Sequence, residues 1–217
     1  MILEQLRETV WKCNLELPKN QLVKMTSGNV SGRDTKTGLV VIKPSGYAFE
    51  ELTPAHMVVV DIDGRVVEGK YKPSTDTDTH LYVYKHRPDV GGIVHTHSPY
   101  ASSFAVLGQP IPACLTASAM LGGEIPIGGY APIGGADIGQ EIVNKIGRAL
   151  AIVMQNHGVF TIGSSPQEAT KMAVEVEEIS KITHLAMLRG KPIMLTPDQI
   201  NYMVDLYKND YGQRKQE

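Results

Sequence analysis

Gly91-Gly92-Ile93-Val94-His95-Thr96-His97-Ser98 is the stretch around which the chain organises itself. An apolar run ends there in two histidines one residue apart. Side chains alternate faces along a strand, so His95 and His97 point the same way at the end of a buried strand. Two imidazoles on one face are half of a metal site. The chain has seven histidines. His56, His86 and His184 sit amid polar or helical patterns and read as surface or packing residues. His80 lies one helical turn after Asp76 and is open to either reading. His157 follows the buried strand Ala151 to Gln155 and completes a set of three with His95 and His97. Three histidines leave a fourth zinc position for substrate or water, as catalytic sites do. As core residues, adjacent buried imidazoles would instead need partners for several ring nitrogens.

Upstream of this strand the spacing predicts a helix over Leu3 to Leu17, ended before Pro18. Leu39 to Ile42 reads as a strand, and Asp63-Gly64 as a hairpin turn between Met57 to Ile62 and Arg65 to Val67. That hairpin argues against a purely parallel sheet. Downstream, Ser98 to Leu107 reads as a helix ended at Gly108, and Ile111 to Thr116 as a strand. Leu121 to Gly135, with six glycines and two prolines, reads as irregular loop near the site or at a subunit contact. Asp137 to Ala149 is a predicted helix and Val159 to Ile162 a short strand. Ser165-Pro166-Gln167-Glu168 opens a long helix to about Leu188, and Thr196-Pro197 opens a last one.

Three small-residue loops lie between these elements. They are Thr26-Ser27-Gly28-Asn29-Val30-Ser31, Lys43-Pro44-Ser45-Gly46 and Lys72-Pro73-Ser74-Thr75-Asp76-Thr77. Such loops offer N–H and O–H donors to an anion, and Lys43 adds charge. The candidate phosphate-binding residues are therefore Gly28, Asn29, Lys43, Ser45, Gly46, Ser74 and Thr75. The third loop opens a helix, so Asp76 is either a helix cap or a metal ligand or base beside an anion at the positive helix end. A metal next to a phosphate cradle points to a small phosphorylated substrate whose other oxygens reach the metal.

Composition narrows the classes. With 217 residues, 42% of them hydrophobic, the chain has ample core material; no repeat or linker divides it, so one domain over 1–217 is expected. A net charge of −2 shows no bias toward nucleic acid. No apolar run suits a bilayer, and the start Met1-Ile2-Leu3-Glu4 lacks a signal-peptide pattern. Cys13 and Cys114, far apart, read as free thiols in a reducing compartment. A cytoplasmic protein is expected.

In order and spacing, these loops together with His95-Thr96-His97 and Asn156-His157-Gly158 resemble the class II aldolase / L-ribulose-5-phosphate 4-epimerase family over nearly the whole chain. The resemblance extends to its fuculose-phosphate aldolases and, in fold, to adducin heads. It implies an α/β/α sandwich with a largely antiparallel central sheet. It implies a homotetramer with sites between neighbouring subunits, and zinc on His95, His97 and His157 with an acidic residue at the place of Asp76. It also implies a second proton carrier from a neighbouring subunit's C-terminal tyrosine, for which Tyr211 is the matching position.

For the reaction, the resemblance implies cleavage of a phosphorylated ketose, L-fuculose 1-phosphate-like, to dihydroxyacetone phosphate and an aldehyde through a metal-stabilised enediolate. The alternatives are a 4-epimerase working by retro-aldol and aldol steps on the same site, and a ketose-1-phosphate dehydratase. Lys43-Pro44-Ser45-Gly46, Ser74-Thr75-Asp76-Thr77 and Tyr211-Gly212-Gln213 look closer to the epimerases. Leu115-Thr116-Ala117-Ser118-Ala119-Met120 lacks the aspartate that epimerases carry there, whereas the fuculose-phosphate aldolases usually have a tyrosine in this stretch and a glutamate in place of Asp76. Epimerisation needs an acid/base on each face, and one good candidate is present, so aldolase is the favoured reading. A scaffold of the adducin-head kind would be expected to lose the histidines, and a cupin-type oxygenase to show a downstream glutamate. Sites of three histidines also accept manganese, cobalt or iron.

Overall fold

A computed structural model gives the fold and describes residues 1–209. Its strands are β1 (Asn29–Arg33), β2 (Val40–Ile42), β3 (Val58–Val60), β4 (Val66–Glu68), β5 (Gly92–Thr96), β6 (Ile127–Gly128), β7 (Ala151–Met154) and β8 (Val159–Gly163). They form one sheet in the order β4-β3-β2-β1-β5-β8-β7-β6. Every pairing is antiparallel except β6 with β7. The helices are α1 (Glu4–Lys19), α2 (Thr77–His86), α3 (Pro99–Leu107), α4 (Asp137–Lys145), α5 (Pro166–Met187) and α6 (Pro197–Asn209).

Alternation along β5 divides the core into two layers. Ile93 packs with Leu81 and Val83 of α2 and Ile138 and Ile142 of α4. Its neighbour Val94 packs on the other face with Val10 and Leu17 of α1 and Ala169 and Ala173 of α5. Further along that second face, Ala101 and Phe104 of α3 meet Val153, Val159 and Val176. Burial of these side chains on both faces is what holds the three-layer α/β/α arrangement, with the sheet in the middle. Among the described residues no helix is long and apolar enough to cross a membrane.

Several elements form as the sequence leads one to expect. Asp63-Gly64 lies in the β3–β4 turn, where Asp61 N–H donates to Arg65 O at 2.9 Å and Gly64 has a positive φ. Gly108 closes α3 in the left-handed conformation. Ser165 Oγ accepts from Glu168 N–H at the start of α5.

Five stretches differ. Pro18 sits inside α1, whose last turn is closed by Asn20 N–H on Glu16 O, so the helix runs past it to Lys19. Ile111 to Thr116 makes only a bridge from Ile111 to Ile125 before Thr116–Leu121 winds into a 3-10 helix. Pro110 and Pro112 remove the donors a ladder there would need. The glycine-rich stretch supplies the edge strand β6, and α4 stops at Lys145. The expected loop around Ser31 is a central strand from Asn29 on, with Val30 and Gly32 facing the α1 layer and Asn29 and Ser31 facing α2.

Candidate metal centre and anion cavity

Three adjacent strands, β1, β5 and β8, carry the site at one end. Across them Asn29 pairs with His95, and His95 with Phe160. His97 follows β5 directly, and His157 stands in the tight turn between β7 and β8. Asn156 takes that turn in the left-handed conformation (φ 57°) and is anchored by its N–H to Ala105 O of α3. Gly158 is required there, because a Cβ would collide with Thr96 O and come within 2.8 Å of the His97 ring.

One ligating atom from each of His95, His97 and His157 lies within 4.8 Å of the others. The Nε2 atoms of His95 and His97 face each other at 2.9 Å. His95 Nδ1 contacts Val159 O at 3.0 Å. A carbonyl only accepts, so Nδ1 carries the proton and Nε2 presents its lone pair, as a ligating histidine fixed by a backbone partner does. Phe160 lies flat against the His95 ring, centroids 4.2 Å apart. Burial pushes the His95 pKa down to about 3 and lowers those of His97 and His157. Three neutral imidazoles with converging nitrogens, one buried, one half-buried and one exposed, fit a divalent ion approached from the His97 side.

Asp76 stands beside them. Although it occupies the position before α2, its side chain makes no cap hydrogen bond. Asn29 Nδ2 instead donates to Asp76 Oδ2 at 2.7 Å. Burial works against its charge, but the fields of His95 and His80 and the Asn29 bond hold the carboxyl below its ordinary value of 3.8. The helix-cap reading of Asp76 is thereby excluded, and the amide of Asn29, expected at a phosphate, is turned toward the carboxylate.

The two proline-serine loops are zipped together. Ser45 N–H donates to Lys72 O and Ser74 N–H to Lys43 O, around a Pro44–Pro73 bridge. Those two amides are already engaged, so Ser45 and Ser74 have their hydroxyls to offer an anion. Ser45 Oγ and Thr75 Oγ1 are 3.5 Å apart. Lys43 is 1% exposed, with Nζ on Thr26 O at 3.1 Å and over the Phe49 ring. Burial pulls its pKa down to about 8. Gly28, at φ 78°, brings the backbone to the His95 carbonyl so closely that a Cβ would stand 2.9 Å from that oxygen. One cavity of about 320 Å³ is lined by Gly28, Asn29, Lys43, Ser45, Gly46, Ser74, Thr75 and Asp76 together with His95, His97 and His157. Of the residues expected at the site, Tyr211 alone lies outside the described residues.

The same cavity is lined by Ile133, which sequence reasoning did not single out. Its position in the glycine-rich stretch, read as loop near the site, was the available signal. His80, left open above, is fully buried on α2 and bonds Ser31 Oγ through Nδ1 at 2.7 Å. Its spacing from Asp76 was the clue to its nearness.

Comparison with known proteins gives a consistent relationship. The family model for the class II aldolase and adducin N-terminal domain matches residues 8–184. Among solved structures, an L-fuculose 1-phosphate aldolase is 31% identical with a TM-score of 0.92, over 96% of this chain and 98% of that one. YgbL from Klebsiella pneumoniae, described as a putative aldolase/epimerase/decarboxylase, is 28% identical with a TM-score of 0.80, over 94% of this chain and 99% of that one. The L-fuculose-1-phosphate aldolase of Thermus thermophilus, at 22% identity and a TM-score of 0.73 over 88% of this chain and 99% of that one, shares the fold.

Proposed function

The chain belongs to the class II aldolase and adducin N-terminal domain family, and from that premise we propose that it is a zinc-dependent aldolase cleaving a phosphorylated ketose of the L-fuculose 1-phosphate kind to dihydroxyacetone phosphate and an aldehyde. One observation carries this reading: the three histidines and the buried Lys43 line a single cavity. A cation site and an anion site share one small space, as a phosphosugar chelating through its own oxygens requires.

The roles follow from the residues. Lys43 and the hydroxyls of Ser45, Ser74 and Thr75 grip the phosphate, and Gly28 and Gly46 let the backbone approach it. This fixes the carbon chain and holds the scissile bond in reacting geometry. His95, His97 and His157, with Asp76 beside them, hold the ion. When bound it supplies Lewis acidity to the ketone and neighbouring hydroxyl oxygens. Asp76 works as proton carrier on the dihydroxyacetone phosphate side. Asn29 secures Oδ2 and leaves Oδ1 to the reaction: the carboxylate takes a proton from the dihydroxyacetone phosphate carbon in the condensation direction, and in cleavage it returns to the freed carbon a proton that it has first taken up from solvent. Tyr211 of a neighbouring subunit takes the proton of the hydroxyl that becomes the aldehyde. The assembly is a cytoplasmic homotetramer of single-domain chains over 1–217, with sites between subunits. Manganese, cobalt or iron would serve the same donors.

A second reading is 4-epimerisation of L-ribulose 5-phosphate, favoured by the Asp76 and Lys43-Pro44-Ser45-Gly46 motifs. It needs an acid/base on the second face, and Leu115 to Met120 holds no carboxylate. Incubation of zinc-loaded protein with L-fuculose 1-phosphate and, separately, L-ribulose 5-phosphate, followed by NMR, separates the two. Dihydroxyacetone phosphate from the first alone is expected. D-xylulose 5-phosphate from the second would make the protein an epimerase, and loss of water from either sugar a dehydratase.

A further inference from the structure

Behind the cavity wall lies a polar cluster in an otherwise apolar layer. Ser31 Oγ sits 2.7 Å from His80 Nδ1 and 2.8 Å from Tyr84 Oη. All three side chains are buried, His80 and Ser31 completely. A fully buried hydrogen-bonded trio of this kind costs desolvation that apolar residues would avoid, so its value lies in what it positions.

The geometry identifies the object. Asn29 and Ser31 are two apart on β1 and point to the same face. Asp76 and His80 are four apart and point to β1 from α2. Two strand residues advance about 6.7 Å, and four helical residues about 6 Å. The two pairs therefore meet in register: Asn29 with Asp76, and Ser31 with His80. Tyr84, one further turn along, reaches back to the same serine hydroxyl. His80 also sets its ring edge-on to Phe160, whose face lies flat on His95. The cluster thus touches both halves of the site through one neighbour each, while lining no part of the cavity.

We propose that Ser31, His80 and Tyr84 form a clamp that fixes the start of α2 on β1 and so positions Asp76 for proton transfer. None of the three touches substrate; they are positioning residues. The inference rests on the role of Asp76 proposed above. Loosening the clamp displaces the carboxylate from Asn29 while leaving the phosphate loops and the three histidines in place. The turnover number falls, and the Michaelis constant does not.

The test compares zinc-loaded Ser31→Ala, Ser31→Thr, Tyr84→Phe and, as control, Thr161→Val. Thr161 is equally buried on β8 but faces α5, where it bonds Ala169 O. Ser31→Ala is expected to lower kcat at least tenfold with KM for the sugar phosphate within twofold. Ser31→Thr, which keeps the hydroxyl, should restore most of it, and Tyr84→Phe should fall between. A crystal structure of Ser31→Ala should show the Asn29–Asp76 separation beyond hydrogen-bond range, about 3.5 Å. Thr161→Val should lose melting temperature without losing kcat. If Ser31→Ala keeps kcat, or loses it no more than Thr161→Val at equal loss of stability, the clamp is overturned. Asp76→Asn separates the two levels: full activity there sinks the role of Asp76 itself, whereas an inactive Asp76→Asn beside an active Ser31→Ala sinks only the clamp.

Discussion

His95 is tied at both ring nitrogens: one proton is committed to Val159 O, which turns the other nitrogen toward His97. His95→Ala removes the central donor of the three and is expected to abolish zinc binding and activity together, as read by metal content after gel filtration. Full metal occupancy in that variant would refute the ligand assignment. Lys43 presents a different balance. It is buried, no acidic side chain among the described residues forms an ion pair with it, and its pKa stands near 8 rather than 10.5 because burial disfavours the charge. An anion in the cavity favours the protonated form, so affinity for the phosphosugar should hold below pH 8 and decline as the pH rises through it. The measurement is KM against pH, with Lys43→Met expected to raise KM at neutral pH and to flatten the alkaline rise. The histidines were legible because their chemistry is carried by residue type and strand position alone. The isolation of Lys43 was not, since burial away from carboxylates is a property of the packed loops around it.

At the scale of elements, local signals served where they agreed. At α5, Ser165 caps Glu168 N–H, Pro166 follows, and Glu168 reaches back to the Ser164 N–H and hydroxyl. Ser165→Ala should cost about 1 kcal/mol and lower the melting temperature by roughly 2–4 °C. An unchanged melting curve would mean that the cap bond contributes nothing to stability. Local signals misled where an element is held by its neighbours. β1 has one inward apolar residue, Val30, and reads as loop; it is a strand because β2 and β5 pair with it on both sides and because Asn29 and Ser31 find partners on α2. The Ile111 to Thr116 stretch shows the reverse, with strand-like residues interrupted by prolines that cannot donate to a ladder. Gly158 belongs to this scale as well. The β7–β8 turn brings His157 to the other two histidines only because no side chain stands between Gly158 and Thr96 O.

Across the whole molecule, the cost of gathering imidazoles into a dry core is acid sensitivity. Burial pushes His80 and His95 down to about 4 and about 3, against an ordinary 6.5. Between those values and 6.5 the unfolded chain binds protons that the folded one does not, so stability falls as pH drops from 6.5 toward 3. Chemical denaturation of metal-free protein should show the midpoint retreating steadily below pH 6.5. A midpoint flat to pH 4 would mean that these rings are not held neutral. The fold class followed from the resemblance that the order of the motifs carries, and the three histidines, the acidic Asp76 and the loops of small hydroxyl residues were determined by the sequence itself. Each is written as an ordered motif whose residue types already state the chemistry. What only the tertiary structure decided is who meets whom: Asn29 with Asp76 across 47 positions, Ser31 with His80 and Tyr84, Phe160 against His95, and Ile133 on the cavity wall. Those contacts depend on the strand order β1-β5-β8 and on α2 lying across β1, and pairing between distant segments leaves no periodicity in the chain from which it could be foreseen.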